Sequence, residues 1–199
     1  VNGNNNEIVV FSWAANGGSV TNVSESGDNP GFSRQTNTTS GFSIIKYTGT
    51  SASSQSVGHG LNSTPELIMI KNLDASEGWI VWATGFGTSN WLELNSTAAY
   101  NQDNAGWGGT HSSTVVNLQD GGAARSSANG VDYIAYCWHS VSGFSKIGSY
   151  TGTGSSNSIT GLGFKPDFIL FKKTSGSQDW LLVDSLRGGQ KELVPNNNA

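Results

Sequence analysis

Pro65-Glu66-Leu67-Ile68-Met69-Ile70-Lys71 returns, at an offset near a hundred residues, as Pro166-Asp167-Phe168-Ile169-Leu170-Phe171-Lys172. Each copy holds four consecutive apolar residues between a proline and a lysine. That is too short for a stable helix and rich in the residues that suit a pleated surface. A strand without polar alternation is one covered on both faces, as in the middle of a sandwich.

The likeness extends in both directions. Gly41-Phe42-Ser43 recurs as Gly143-Phe144-Ser145, and Tyr47-Thr48-Gly49-Thr50 as Tyr150-Thr151-Gly152-Thr153. Gly60-Leu61 matches Gly161-Leu162, Trp79 matches Trp180, Leu92 matches Leu193 and Asn95 matches Asn196. Single-residue insertions account for the small drifts in offset. A duplicated β unit explains this, and a repeat found early constrains every later fold assignment. The pattern also runs backwards: Ile8–Trp13 (IVVFSW) resembles Tyr133–Trp138 (YIAYCW), and each precedes a Gly-Phe-Ser stretch. The first copy carries a Gly/Ser/Asn-rich insertion over 17–40, read as a surface loop. The second lacks a counterpart of Ala99–Gly130. The expected organisation is a first unit over 1–130 and a second, incomplete unit over 131–199, as one continuous or two closely packed domains. The Val1 start and the staggered copies lead us to expect a slice of a longer repetitive protein.

Candidate strands are Ile8–Trp13, Ser43–Thr48, Glu66–Lys71, Trp79–Thr84, Trp91–Leu94, Thr114–Leu118, Asp132–Trp138, Asp167–Lys173 and Trp180–Asp184. Gly, Ser, Asn and Asp separate them and supply turns. No window sustains helical spacing with caps. The predicted class is all-β, a β-sandwich or jelly-roll-like fold with an internally duplicated unit.

Composition narrows the function. Only 12% of the 199 residues are charged, and the net charge is -4, so solubility rests on hydroxyls and amides. Scattered Lys and Arg leave no electrostatic footprint for nucleic acid. No apolar run approaches the roughly 18 residues of a membrane helix, and no leader pattern opens the chain. The seven tryptophans argue against disorder. One cysteine, Cys137, allows neither an internal disulfide nor a cysteine-based zinc site.

Phe11-Ser12-Trp13, the stretch Gly41–Gly49, Val57-Gly58-His59-Gly60-Leu61, Pro65 with Ile68–Asn72, and Tyr136-Cys137-Trp138 together resemble an uncharacterised repeat family. That family is associated with virion structural proteins of tailed phages, notably marine and cyanobacterial ones, often beside concanavalin-like lectin domains. The second copy continues the likeness with Tyr150-Thr151-Gly152, Trp180, Asp184-Ser185 and Arg187. Ala14 stands where the resemblance leads one to expect Lys. The resemblance implies a virion location and other virion proteins as partners; it brings no catalytic residue.

Among candidate sites, Trp13/Trp138 and Trp79/Trp180 recur in both units and read as core packing. Trp82, Trp91, Tyr100 and Trp107 do not recur. Packing or a subunit contact is the favoured reading for them, and a glycan-binding aromatic platform the alternative. A platform requires them on one exposed face. His59, between Gly58 and Gly60, reads as a turn histidine bonded to backbone, and His111 and His139 show no metal spacing with it. Asp132, Asp167, Asp179 and Asp184 read as solvated strand-end acids, with no reason to pair any two for hydrolysis. The loop Asn101–Asn104 lacks the EF-hand ligand pattern. The sequence therefore predicts no catalytic, cofactor or metal site. It points to a non-enzymatic structural component of a virion (tail fibre, appendage or capsid decoration), homo-oligomeric and contributing to host attachment, with a carbohydrate-binding module as the alternative.

Overall fold

A computed structural model describes residues 10–15, 18–102, 106–119, 125–188 and 191–197. Thirteen strands follow in chain order: β1 (Thr21–Val23), β2 (Phe32–Asn37), β3 (Phe42–Thr48), β4 (Gln55–Gly58), β5 (Leu67–Asn72), β6 (Ile80–Ala83), β7 (Asn90–Glu93), β8 (Asn101–Gln102), β9 (Val115–Leu118), β10 (Asp132–Trp138), β11 (Phe168–Lys172), β12 (Trp180–Asp184) and β13 (Glu192–Leu193). Eight of them form one antiparallel sheet in the order β1-β2-β3-β10-β5-β6-β7-β8. Two smaller antiparallel sheets, β4-β9 and β11-β12-β13, complete the fold. It is all-β.

The large sheet is the middle layer. Side chains alternate across a strand, so neighbouring residues of β5 enter different cores: Ile68 and Ile70 one, Met69 the other. The first core joins Ile45, Tyr47, Ile80, Trp91, Tyr133, Ala135 and Cys137 to Val57, Val116 and Leu118 of the β4-β9 sheet, with Trp107 between. The second sets Met69, Val81 and Leu92 against Trp180 and Leu170 of the β11-β13 sheet. The apolar run Leu67–Ile70 is covered on both faces, as its composition required.

The duplication is visible in paired bonds. Thr84 donates its N–H to the Glu66 carbonyl at 2.8 Å, and Ser185 does the same to Asp167 at 2.8 Å. Trp79 donates its N–H to Asn95 Oδ1 at 3.0 Å, and Trp180 to Asn196 Oδ1 at 2.7 Å.

The two copies nevertheless differ in what surrounds them. In the first, β5 lies between β6 and β10, and β10 in turn pairs with β3. In the second, β11 pairs with β12 alone among the described residues. The run Phe168–Phe171 is therefore not covered on both faces: Phe168 is 37% and Ile169 42% exposed. Ile68, the counterpart of Ile169, is fully buried because the β4-β9 sheet and the segment around Trp107 roof it. Among the described residues no comparable layer covers Ile169.

Three further expectations change. The insertion over 17–40 is not simply a loop, because it contributes β1 and β2, which extend the large sheet beyond β3. Its polar strand Phe32–Asn37 is held by register with β3 rather than by an apolar pattern. Strand β10, placed by sequence at the start of the second unit, is the centre of the first unit's sheet. Within Ile8–Trp13, Ile8 and Val9 lie outside the described residues, and Val10–Trp13 forms no strand.

Candidate functional site

The four non-recurring aromatics do not share a face. Trp91 and Trp107 are 1% and 2% exposed and lie in the first core. Trp82 packs partly against the same core, with Nε1 donating to the Gly87 carbonyl at 2.8 Å. Tyr100 packs on the opposite side of the large sheet, near Phe86. The glycan platform, the alternative for these residues, is not formed. Trp82, Trp91 and Trp107 fill the space beneath the roof, a layer without a counterpart over β11–β13 among the described residues.

A polar lattice that sequence reading missed pins this roof. Tyr47 donates its hydroxyl to the Ser126 carbonyl at 2.5 Å, from a phenol whose pKa burial and the nearby Tyr133 and Cys137 push well up. Gln55 Nε2 donates to the Ala52 carbonyl at 2.7 Å, while its Oε1 accepts from the Ser127 hydroxyl. Ser126 and Ser127 are fully buried, so each such bond is expensive to lose. Among so many serines nothing marks these two in advance.

His59 behaves as read from its flanking glycines. It is fully buried, its Nδ1 accepts the Leu61 N–H at 3.1 Å, and its Nε2 lies 3.2 Å from the Ser112 carbonyl. Burial holds its pKa below the ordinary value. Arg34 lies across Gly58, donating to its carbonyl at 3.0 Å, and a Cβ at Gly58 would sit 2.8 Å from that guanidinium. Gly60 has a φ of +72°, a left-handed turn that favours glycine. His111 sits edge-on to Trp82 and Trp107, with ring centroids 4.6 and 5.2 Å away. Burial and the neighbouring His59 lower its pKa to about 4. Both histidines are neutral structural groups at neutral pH.

The strand-end acids have separate, local partners. Asp132 meets Lys46 at 3.0 Å and accepts the Thr48 hydroxyl at 2.6 Å. Asp184 accepts from Arg187 Nε at 2.6 Å, and Asp179 from Asn196 Nδ2 at 2.8 Å. Asp103 and Asn104 lie outside the described residues. Among the described residues no group of three or more His, Cys, Asp or Glu could hold a metal ion.

What remains is surface. An open depression of about 400 Å³ is lined by Glu25, Asp28, Thr48, Thr50 and Asn129 among others. A second, of about 310 Å³, adjoins it around Asn22, Lys46 and Thr48. The larger apolar surface lies elsewhere. Trp13 is 49% exposed, against the expectation of core packing, and Phe11 is 40% exposed. Both rings rest against Phe168, with centroids 6.5 and 5.1 Å away. Trp138 and Trp79 are half-buried, and Trp180 alone of the recurring set is 5% exposed.

A domain family of unknown function, DUF7483, matches residues 1–198. The chain belongs to that family. No curated protein and no solved structure matches it. The DUF7483 chain thus presents a first unit with a roofed core and a second unit whose β11 edge and aromatic side chains Phe144, Tyr150 and Phe168 face outward.

Proposed function

We propose that this DUF7483 chain is a non-enzymatic structural component of a tailed-phage virion, in a tail fibre, tail appendage or capsid decoration, and contributes to host attachment. The observation that carries the reading is where apolar surface is left open. Val10, Phe11, Trp13, Phe144, Tyr150 and Phe168 are between 37% and 74% exposed, and Leu73, Ile169 and Leu186 are open as well. Large apolar groups left open on a protein surface mark contacts with other proteins. The motif resemblance to phage virion repeats names the assembly. With few ion pairs to be screened, such a surface keeps its contacts as salt changes. Other virion proteins and further copies of the chain are the partners. A host glycan, if bound, meets residues other than the buried Trp91 and Trp107.

Mass spectrometry of density-purified particles from the source culture tests this. Peptides of this chain should co-sediment with a major capsid protein. Their recovery only in the soluble secreted fraction would overturn the virion reading, and glycan binding would be measured next.

A further inference from the structure

We infer that the outer edge of β11 accepts a strand from a second copy of this chain, and that Val10–Trp13 supplies the donated residues. The inference goes beyond the virion reading and stands whichever particle the chain belongs to.

The first unit supplies the template. There β10 inserts between β3 and β5, with Trp138 opposite Leu67 and also opposite Phe42, and Tyr136 opposite Met69. The repeat converts each partner: Leu67 to Phe168, Met69 to Leu170, and Phe42 to Phe144. In the second unit the corresponding groups stand apart. β11 has no second neighbour among the described residues, the stretch from Phe144 to Tyr150 forms no strand, and Phe144 and Tyr150 are 62% and 60% exposed. Only one other segment carries the β10 pattern, and it is Ile8–Trp13. Its transferred register sets Trp13 opposite Phe168 and beside Phe144, and Phe11 opposite Leu170.

Among the described residues this ladder is not made within one chain. Trp13 does rest against Phe168, with ring centroids 6.5 Å apart, but Phe11 also rests on Phe168, two positions from its expected partner. Val10–Trp13 forms no strand, and Val10 is 74% exposed. Among the described residues the chain therefore carries donor residues without a ladder and an acceptor edge without a second strand. Two such surfaces on one molecule are self-complementary, and a second copy satisfies both. Main-chain bonds supply the affinity of an added strand, and alternate side chains supply its specificity. Here the aromatic pair Trp13 and Phe168 sets the register.

The test uses two differently tagged variants, Trp13→Cys and Phe168→Cys, mixed and oxidised. Directly opposed Cβ atoms in an antiparallel pair lie ~4.5–5.5 Å apart, within crosslinking reach. Cys137 is fully buried and does not compete. The expected product is a disulfide joining one chain of each tag, abolished by excess synthetic Ile-Val-Val-Phe-Ser-Trp peptide. Absence of the mixed disulfide overturns the inference, as does a Trp13→Cys/Phe168→Cys double variant that closes only within single chains. Native mass spectrometry of the unaltered chain guards against misfolded variants. Assemblies in steps of 20.8 kDa should dissociate as the peptide binds. Assemblies indifferent to the peptide, or a monomer that takes up none, overturn it.

Discussion

His111 makes the folded protein sensitive to acid well above the range where carboxylates titrate. The ring is 5% exposed, clasped edge-on by Trp82 and Trp107, and its Nδ1 accepts the Asn117 N–H at 3.2 Å. Its folded pKa is about 4 against an ordinary 6.5. A histidine lowered by burial is neutral in the folded chain while the unfolded chain takes up a proton near 6.5. Its stabilising contribution is therefore complete above that pH and drains away as the pH falls toward 4. A gap of about 2.5 units at ~1.36 kcal/mol each gives roughly 3 kcal/mol, most of it gone by pH 4.5. That is a large share of a typical stability of about 5–15 kcal/mol. His59 is shifted in the same direction and steepens the loss. Asp132 and Asp184 are shifted below the ordinary aspartate value, so their stabilisation is lost chiefly below the window used here. Urea unfolding at a series of pH values between 7.5 and 4.5 should show the wild-type stability falling with acid. The His111→Asn variant keeps an acceptor near Asn117 and should be less stable at pH 7.5 but clearly flatter. Parallel curves for the two proteins would refute the assignment of the slope to this ring.

Trp180 fastens the small sheet to the large one through burial and a 2.8 Å bond from Nε1 to the Glu93 carbonyl. Trp180→Ala should cost about 3–5 kcal/mol and Trp180→Phe about 1–2 kcal/mol. Hydrogen exchange should show β11–β13 amides losing protection ahead of those in β5 and β10. A Cβ at Gly108 would meet the Leu118 carbonyl, whereas Gly148 has nothing within 4 Å. Thermal unfolding should show Gly108→Ala losing more than ~3 kcal/mol and Gly148→Ala staying within about 0.5 kcal/mol of wild type. Cys137 is fully buried with its pKa pushed up to about 12. It should resist thiol reagents in the native state at pH 7.5 and react fully in denaturant; rapid native labelling would contradict that burial.

Much of the architecture was readable because short-range pattern and repetition carry it. The runs Leu67–Ile70 and Tyr133–Trp138 became strands at nearly the expected bounds. The paired bonds of Trp79 and Trp180 fulfil the repeat. What pattern does not carry is the identity of a strand's neighbours. Phe168–Phe171 reads like Leu67–Ile70 yet, among the described residues, has neither the flanking strand nor the roof. β1, β2 and β4 are polar and owe their conformation to register with partners, sequence neighbours for β1 and β2 and the distant β9 for β4. The non-recurring tryptophans follow the same logic. Trp91 becomes Glu192 in the second copy because one position is roofed and the other is open, so non-recurrence marked a local core, the packing reading favoured from sequence, rather than a glycan platform.

The position of β10 has a consequence for how the chain is made. It is the strand that joins β3 to β5, yet Thr48 and Asp132, which touch across that junction, are 84 positions apart in sequence. During synthesis β3 and β5 emerge long before it and wait with raw edges toward each other. Such delayed, long-range closure slows folding and exposes nascent strands to mispairing. Crowded polysomes translating the same message would be the place where that hazard is greatest, and chaperone capture between the emergence of Asn72 and Trp138 is the point at which the cell would have to intervene.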